Sequence, residues 1–297
     1  MKKLLTILLL TTIFISCEHR IEHSKTIFLV NEVPNNIPID FKQQLVPTNQ
    51  LVHKGIFSPN LDEYYYTISD KNFEQFNVFV IKKHNGKWSE PKNAFFNSTY
   101  NEHGMSFSPD GNSIYFSSTR PVPIPKIPQT WHIWKTNKVN GKWAAPTFVN
   151  IPNLKDKLVS HPTITNTGKL YFHVSNLDYS EMDIYHATSI DGNYSNAEKT
   201  AIADNSIAGR CTPYVSPKED FLIFAAIGDQ LELKISFSNG NGGWENTKKL
   251  NDNINTDGQG NPYVTPDNKF LFFTTGNAET KWSVKWVDIE SELKNEL

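Results

Sequence analysis

The sequence predicts an all-β chain folded as a single β-propeller of four-stranded blades. Three observations carry that reading. A short phrase recurs five times: FSPNLDEYYY from Phe57, FSPDGNSIYF from Phe107, ITNTGKLYF from Ile164, VSPKEDFLIF from Val215 and VTPDNKFLFF from Val264. Each copy reads as a strand, a tight polar turn and a second strand, because Pro presets φ while Asp, Asn and Gly tolerate turn geometry. Each copy is followed by a third strand with aromatic alternation (NVFVIKK, WHIWKTN, MDIYHAT, LELKISF, WSVKWVD). In four copies a Gly turn, an aromatic residue (Trp88, Trp143, Tyr194, Trp244) and a fourth strand come next. Finally, Pro59, Pro109, Asn166, Pro217 and Pro266 mark one position that recurs about every fifty residues, a period that suits propeller blades. An aromatic content of 12%, with 17 prolines and 15 glycines, suits short strands joined by turns.

The elements follow in chain order. Lys2 and Lys3 precede an apolar run, Leu4 to Ile15, that is too short to span a bilayer and fits a secretory signal over residues 1–16. Phe14-Ile15-Ser16-Cys17 resembles a bacterial lipobox, with Phe14 in place of the usual Leu. The resemblance implies cleavage before Cys17 and lipid attachment to it. Residues 17–26 are polar and are expected to form a lipidated tether, with the propeller over 27–297. IDFKQQLV, residues 39–46, precedes the first phrase, whereas the last repeat runs out after its third strand, around Trp282 to Asp288. Strand 39–46 is therefore expected to complete the last blade, closing the ring and removing an exposed sheet edge. Five phrases then give five blades. A six-blade ring, with a degenerate blade built from 27–50 and the C-terminal tail, is the alternative count. The aromatic residue after each Gly turn is expected to wedge between blades. Cys211 is the one cysteine of the exported body, so no internal disulfide can form, and it is read as a small buried hydrophobe.

The stretches FSPDGNSIYFSSTR, PYVTPDNKFLFFTTG and ISFSNGNGGWENTKKLNDNIN resemble the WD-like propeller repeats of the TolB type, over most of residues 40–290. Such repeats are frequent in exported lipoproteins of Gram-negative bacteria. The resemblance implies a propeller held in the cell envelope by its N-terminal lipid, at the outer membrane. It does not specify chemistry, since propellers host enzymes, binding modules and scaffolds alike. TolB carries a separate N-terminal domain for which this chain lacks the length, so TolB's own role is not carried over.

Blade topology places the polar turns of the phrase and the Gly turns on one face. The links into each first strand, and those between second and third strands, share the other. The second set is longer and more varied, which makes it the expected working face. The residues entering the first strands are His53 and Lys54, Glu102 and His103, Ser160 and His161, Arg210, then Gln259 and Asn261. They are expected to converge near the axis as a binding set. The proline-rich stretch Arg120 to Thr130 is expected to form one stiff wall of that site. Three histidines and a glutamate invite a metal reading, but no His-x-His or His-x-x-x-His spacing supports it, and no metal or cofactor is assigned.

A net charge of −2 gives no basic field for nucleic acid. Neither a G-x-S-x-G elbow, a P-loop nor a dinucleotide fingerprint occurs. Glu102 is the single carboxylate among the residues entering the first strands, whereas glycoside hydrolysis needs two. The expected function is therefore a binding module for a protein, peptide or glycan of the envelope, with no catalytic residues assigned. A carbohydrate-active hydrolase or lyase on the same scaffold is the alternative.

Overall fold

The computed structural model describes residues 20–41, 50–204, 207–277 and 281–294. Five antiparallel sheets follow one another along the chain and form a five-bladed propeller. The inner strands are Leu51–Phe57, Glu102–Phe107, Leu158–Ile164, Gly209–Val215 and Gly258–Val264. Each pairs with the strand after its phrase turn, and that strand pairs with the third.

The second strands show why these segments stay extended. Phe221–Ile227 reads FLIFAAI and is buried along nearly its whole length. Phe221, Ile223 and Ala225 enter the core shared with blade 5, while Leu222, Phe224 and Ala226 enter the core shared with blade 3. A strand that walls two cores has no solvent face, so it carries an unbroken apolar run rather than alternation. The same division sends Phe270 and Phe272 to one side of blade 5, and Leu271 and Phe273 to the other.

Ring closure follows the sequence expectation. Ile39–Asp40 pairs with Ser283–Asp288, in register Ile39 to Trp286 and Asp40 to Lys285, and completes blade 5. The Phe41 N–H then donates to the Val284 carbonyl at 2.9 Å. The Phe41 ring sits 4.9 Å from Tyr64 and 5.0 Å from Phe272, which ties the first blade to the last. The rest of the expected strand, 42–46, lies outside the described residues, as do the signal 1–16 and Cys17.

Residues 20–28 form a helix whose C-terminal end is part of the fold. Phe28 is buried among Phe57, Phe270 and Trp286, and its carbonyl accepts the Trp88 indole N–H at 3.0 Å. Ile27 and Phe28, the first residues of the expected propeller span, are where this helix reaches the core.

The aromatic wedges act as expected. Trp88, Trp143, Tyr194 and Trp244 each pack into the core between their own blade and the preceding one. The turns before Trp88, Trp143 and Tyr194 place two successive residues at positive φ, as in Asn85-Gly86 (48° and 72°). That is the type I′ hairpin preference of Asn-Gly and Asp-Gly.

Candidate functional site

Every inner strand carries one β-bulge at the same level, after His53, His103, Ser160, Cys211 and Gly260. The extra residue has positive φ in all five: Lys54, Gly104, His161, Thr212 and Asn261. A bulge turns its residue out of the ladder, so these residues form a ring about the axis. Four of their N–H groups are satisfied across blades. Lys54 donates to Thr274 Oγ1 at 2.9 Å, His161 to Ser117 Oγ at 2.9 Å, Thr212 to His173 Nδ1 at 3.4 Å and Asn261 to Thr212 Oγ1 at 3.1 Å. A Cβ on Gly104 would crowd Ser117 Oγ at 3.0 Å and His161 at 3.2–3.3 Å, so glycine suits this bulge best.

The bulge ring divides the axis into two ends. On the loop side, most of the predicted residues already have partners within the protein. His103 and His161 meet at 4.4 Å between ring centres, and His161 and His173 at 4.8 Å. His173 accepts the Thr212 N–H at Nδ1, so its proton sits on Nε2 and is donated to Ser160 Oγ at 2.9 Å. Ser160 Oγ in turn donates to His161 Nδ1 at 2.8 Å. Burial pushes His173 down to about 3 and His53 to about 4, and it holds His103 and His161 well below the usual imidazole range. Protonated His103 and His161 would also repel neighbouring histidines and Lys54. All four rings are therefore neutral at pH 7. His53 packs against Phe73, Phe76 and Trp282, and its Nε2 meets Ser69 Oγ at 2.7 Å.

Glu102 and Arg210 do not join this cluster; each lies in its own buried ion pair. Glu102 accepts hydrogen bonds from Ser98 and Ser118 and pairs with Arg120 at 2.7 Å. Arg210 pairs with Asp183 at 3.1 Å, and Asp183 also meets Lys199 at 2.6 Å. Gln259 donates to Thr275 Oγ1 at 3.1 Å but leaves its Oε1 without a partner among the described residues. The proline-rich loop is anchored at its start by Arg120, which also stacks on Trp134 at 5.0 Å. At its end Trp131 lies 4.2 Å from His103. Cys211 is buried and free, and burial pushes its thiol up to about 12. Among the described residues no group of three or more His, Cys, Asp or Glu side chains is arranged to hold a metal ion.

The turn side is different. A cavity of about 130 Å³ runs along the axis and is lined by all five blades. Its floor is Lys54, with Met105 beside it. One layer above are Ile56, Ser106, Thr163, Tyr214 and Tyr263, then Phe57, Phe107, Ile164, Val215 and Val264. The mouth is framed by Ser108 and by Pro59, Pro109, Pro217 and Pro266 of the phrase turns. Of the nine predicted binding residues, Lys54 alone lines it. Lys54 is 3% exposed, and its ammonium makes no hydrogen bond or ion pair with any described residue. Burial pulls it down to about 8, which leaves it mostly charged at pH 7.

The working face expected from loop variation thus lacks the axial cavity, which is lined by the residues just before each phrase and by the start of the phrase itself. The missed residues, chiefly Tyr214, Tyr263, Ile56 and Phe107, did carry a signal. They occupy the same positions relative to the phrase in successive copies, and inner strands of one ring must face one axis.

The fold is shared with solved propellers. The chain is similar to TolB from Acinetobacter baumannii, with a TM-score of 0.52 and 12% identity over 82% of this chain and 55% of that one. It is similar to a protein of unknown function from Dyadobacter fermentans, with a TM-score of 0.52 and 12% identity over 86% and 98%. It is also similar to endo-arabinase from Bacteroides thetaiotaomicron, with a TM-score of 0.52 and 11% identity over 87% and 98%. The chain spans just over half the length of TolB. No family model matches it, and no curated protein matches it in sequence. At these identities the likeness concerns the fold alone.

Proposed function

We propose that this chain is an exported, lipid-anchored envelope protein of the TolB-type propeller class that acts as a binding module, receiving a protein or peptide partner at the turn-side end of its axis. The observation that supports this is the cavity built by all five blades, with mostly apolar walls and one cationic group at its floor. Apolar concavities with few polar groups are the usual form of a ligand site. A hydrolase of glycosidic bonds would need two carboxylates facing its substrate. The cavity lining contains none, and Glu102 is committed to Arg120. The fold likeness to endo-arabinase therefore gives the enzyme reading less support than the site gives the binding reading.

The test is capture of partners from envelope extract by the full chain. Ser106→Trp, which places a ring in the cavity, is expected to lose the partner. Deletion of 121–128, on the loop side, is expected to keep it. The opposite pattern would move the site to the loop face. For the anchor, Cys17→Ala is expected to shift the protein from the membrane to the soluble fraction; unchanged fractionation would remove the lipid from the account.

A further inference from the structure

The inference that follows rests on the binding reading above and concerns the chemistry of what enters the cavity. Two features are independent of each other. The walls are mostly apolar, with hydroxyls of Ser106, Thr163, Tyr214 and Tyr263 in one layer, and they come from five separate inner strands. The floor is Lys54, a residue that is 3% exposed and whose ammonium has no partner among the described residues.

A buried cation without a counter-ion is unfavourable, because burial strips its hydration and nothing replaces it. Its neighbours offer no relief. His53, His103, His161 and His173 are neutral, and the Tyr214 hydroxyl already donates to the Val264 carbonyl at 3.2 Å. An incoming anion would therefore supply the missing partner through a charge-assisted hydrogen bond in a low-dielectric setting. The walls set the rest of the ligand. The layer next to Lys54 sets the hydroxyl-bearing Ser106, Thr163, Tyr214 and Tyr263 around Ile56, and the next layer, Phe57, Phe107, Ile164, Val215 and Val264, is wholly apolar. The size sets a limit as well. A cavity of about 130 Å³ is close to the ~150 Å³ that holds a benzene ring in an engineered protein core.

We infer that the cavity takes an apolar group of about one aromatic ring that ends in a carboxylate, inserted carboxylate first so that it pairs with Lys54. The prolines at the mouth leave the body of a larger partner outside. The C-terminal residue of a peptide and a free aromatic or branched aliphatic acid share this chemistry.

The experiment is binding to the purified full chain at low ionic strength, with benzoate against its neutral isostere benzamide. A second arm compares the peptide Ala-Ala-Phe as free acid and as C-terminal amide. Benzoate is expected to bind about tenfold or more tightly than benzamide. Lys54→Met and Lys54→Gln, both of which keep the cavity, are expected to erase that preference, and Ser106→Trp to abolish binding of both probes. A matching acid-over-amide preference for the peptide identifies a chain terminus as the source; the preference with benzoate alone identifies a free acid. Equal binding of benzoate and benzamide to the wild type overturns the inference, as does a preference that survives in both Lys54 variants. The failures are separable. If Ser106→Trp loses its envelope partner but no acid preference exists, the ligand class alone is wrong. If Ser106→Trp keeps that partner, the placement of the partner site is wrong.

Discussion

The two ends of the propeller axis are built from the same five inner strands, yet they resolve their polar groups in opposite ways. On the loop side, unlike residues find one another. Glu102 meets Arg120, Arg210 meets Asp183, and Ser160 joins His161 to His173. On the turn side, like residues from successive copies line a cavity and leave one cation unanswered. Variation in a loop is a guide to function only when the varied side chains remain free. Here most of them already have partners within the protein, and the open space lies along the start of the repeated phrase and the residues just before it.

The sharpest way to break this comparison is to remove one partner on the loop side. Glu102→Ala strands Arg120 in a buried site and is expected to cost about 3–5 kcal/mol in denaturant unfolding. A loss below about 1 kcal/mol, the range of exposed pairs, would show that the pair is not structural.

Acid should act on the same end. His53 and His173 have folded values of about 4 and about 3, below the ordinary 6.5. The unfolded chain therefore binds more protons in that window, so their contribution is complete above pH 6.5 and is lost as pH falls from 6.5 toward 3. For His53 alone this amounts to about 3 kcal/mol. A protonated His173 would also point an N–H at the Thr212 N–H that it now accepts. Unfolding curves from pH 7 to 4 should show the decline, and His53→Gln should flatten part of it.

Lys54 should behave in the reverse sense. Its folded value of about 8 lies below the ordinary 10.5, so wild-type stability should rise as pH climbs from about 8 to 10.5. Lys54→Met should abolish that rise and stabilise the protein by up to about 3 kcal/mol at pH 7. Benzoate binding should weaken above pH 8 over the same range. The four histidines near the axis are already neutral there, and burial raises Tyr214 and Tyr263 beyond it, so Lys54 alone among these groups titrates. A flat profile would separate Lys54 from binding.

The smallest effect belongs to the outer hairpins. Gly86 sits at φ 72° with open space where a Cβ would be. Gly86→Ala should therefore cost about 1–2 kcal/mol from backbone strain alone. A larger loss would mean that this turn packs against something.

Much of the architecture was legible in the sequence because it is local and repeated. Five phrases, their fifty-residue period and the Asn-Gly turns follow from side-chain alternation and turn chemistry within short windows. Ring closure by Ile39–Asp40 was legible as a strand missing at one end and present at the other. The site was legible only in part. Lys54 was picked out because it enters an inner strand, but the same rule also picked Glu102 and Arg210. Their partners Arg120 and Asp183 lie 18 and 27 residues away, with nothing in the local pattern to join them.

The sequence by itself determined which segments are strands, how they repeat and where each chain reversal falls, since these depend on neighbours in the chain; the count of five blades rather than six came from the closed ring. The tertiary structure decided which polar residues cancel and which one does not. That depends on the bulge at each inner strand, which turns Lys54, His161, Thr212 and Asn261 toward a common axis, and on contacts between blades about fifty residues apart. Lys54 is buried because closure of the ring sets it at one end of a cavity whose lining residues include no carboxylate.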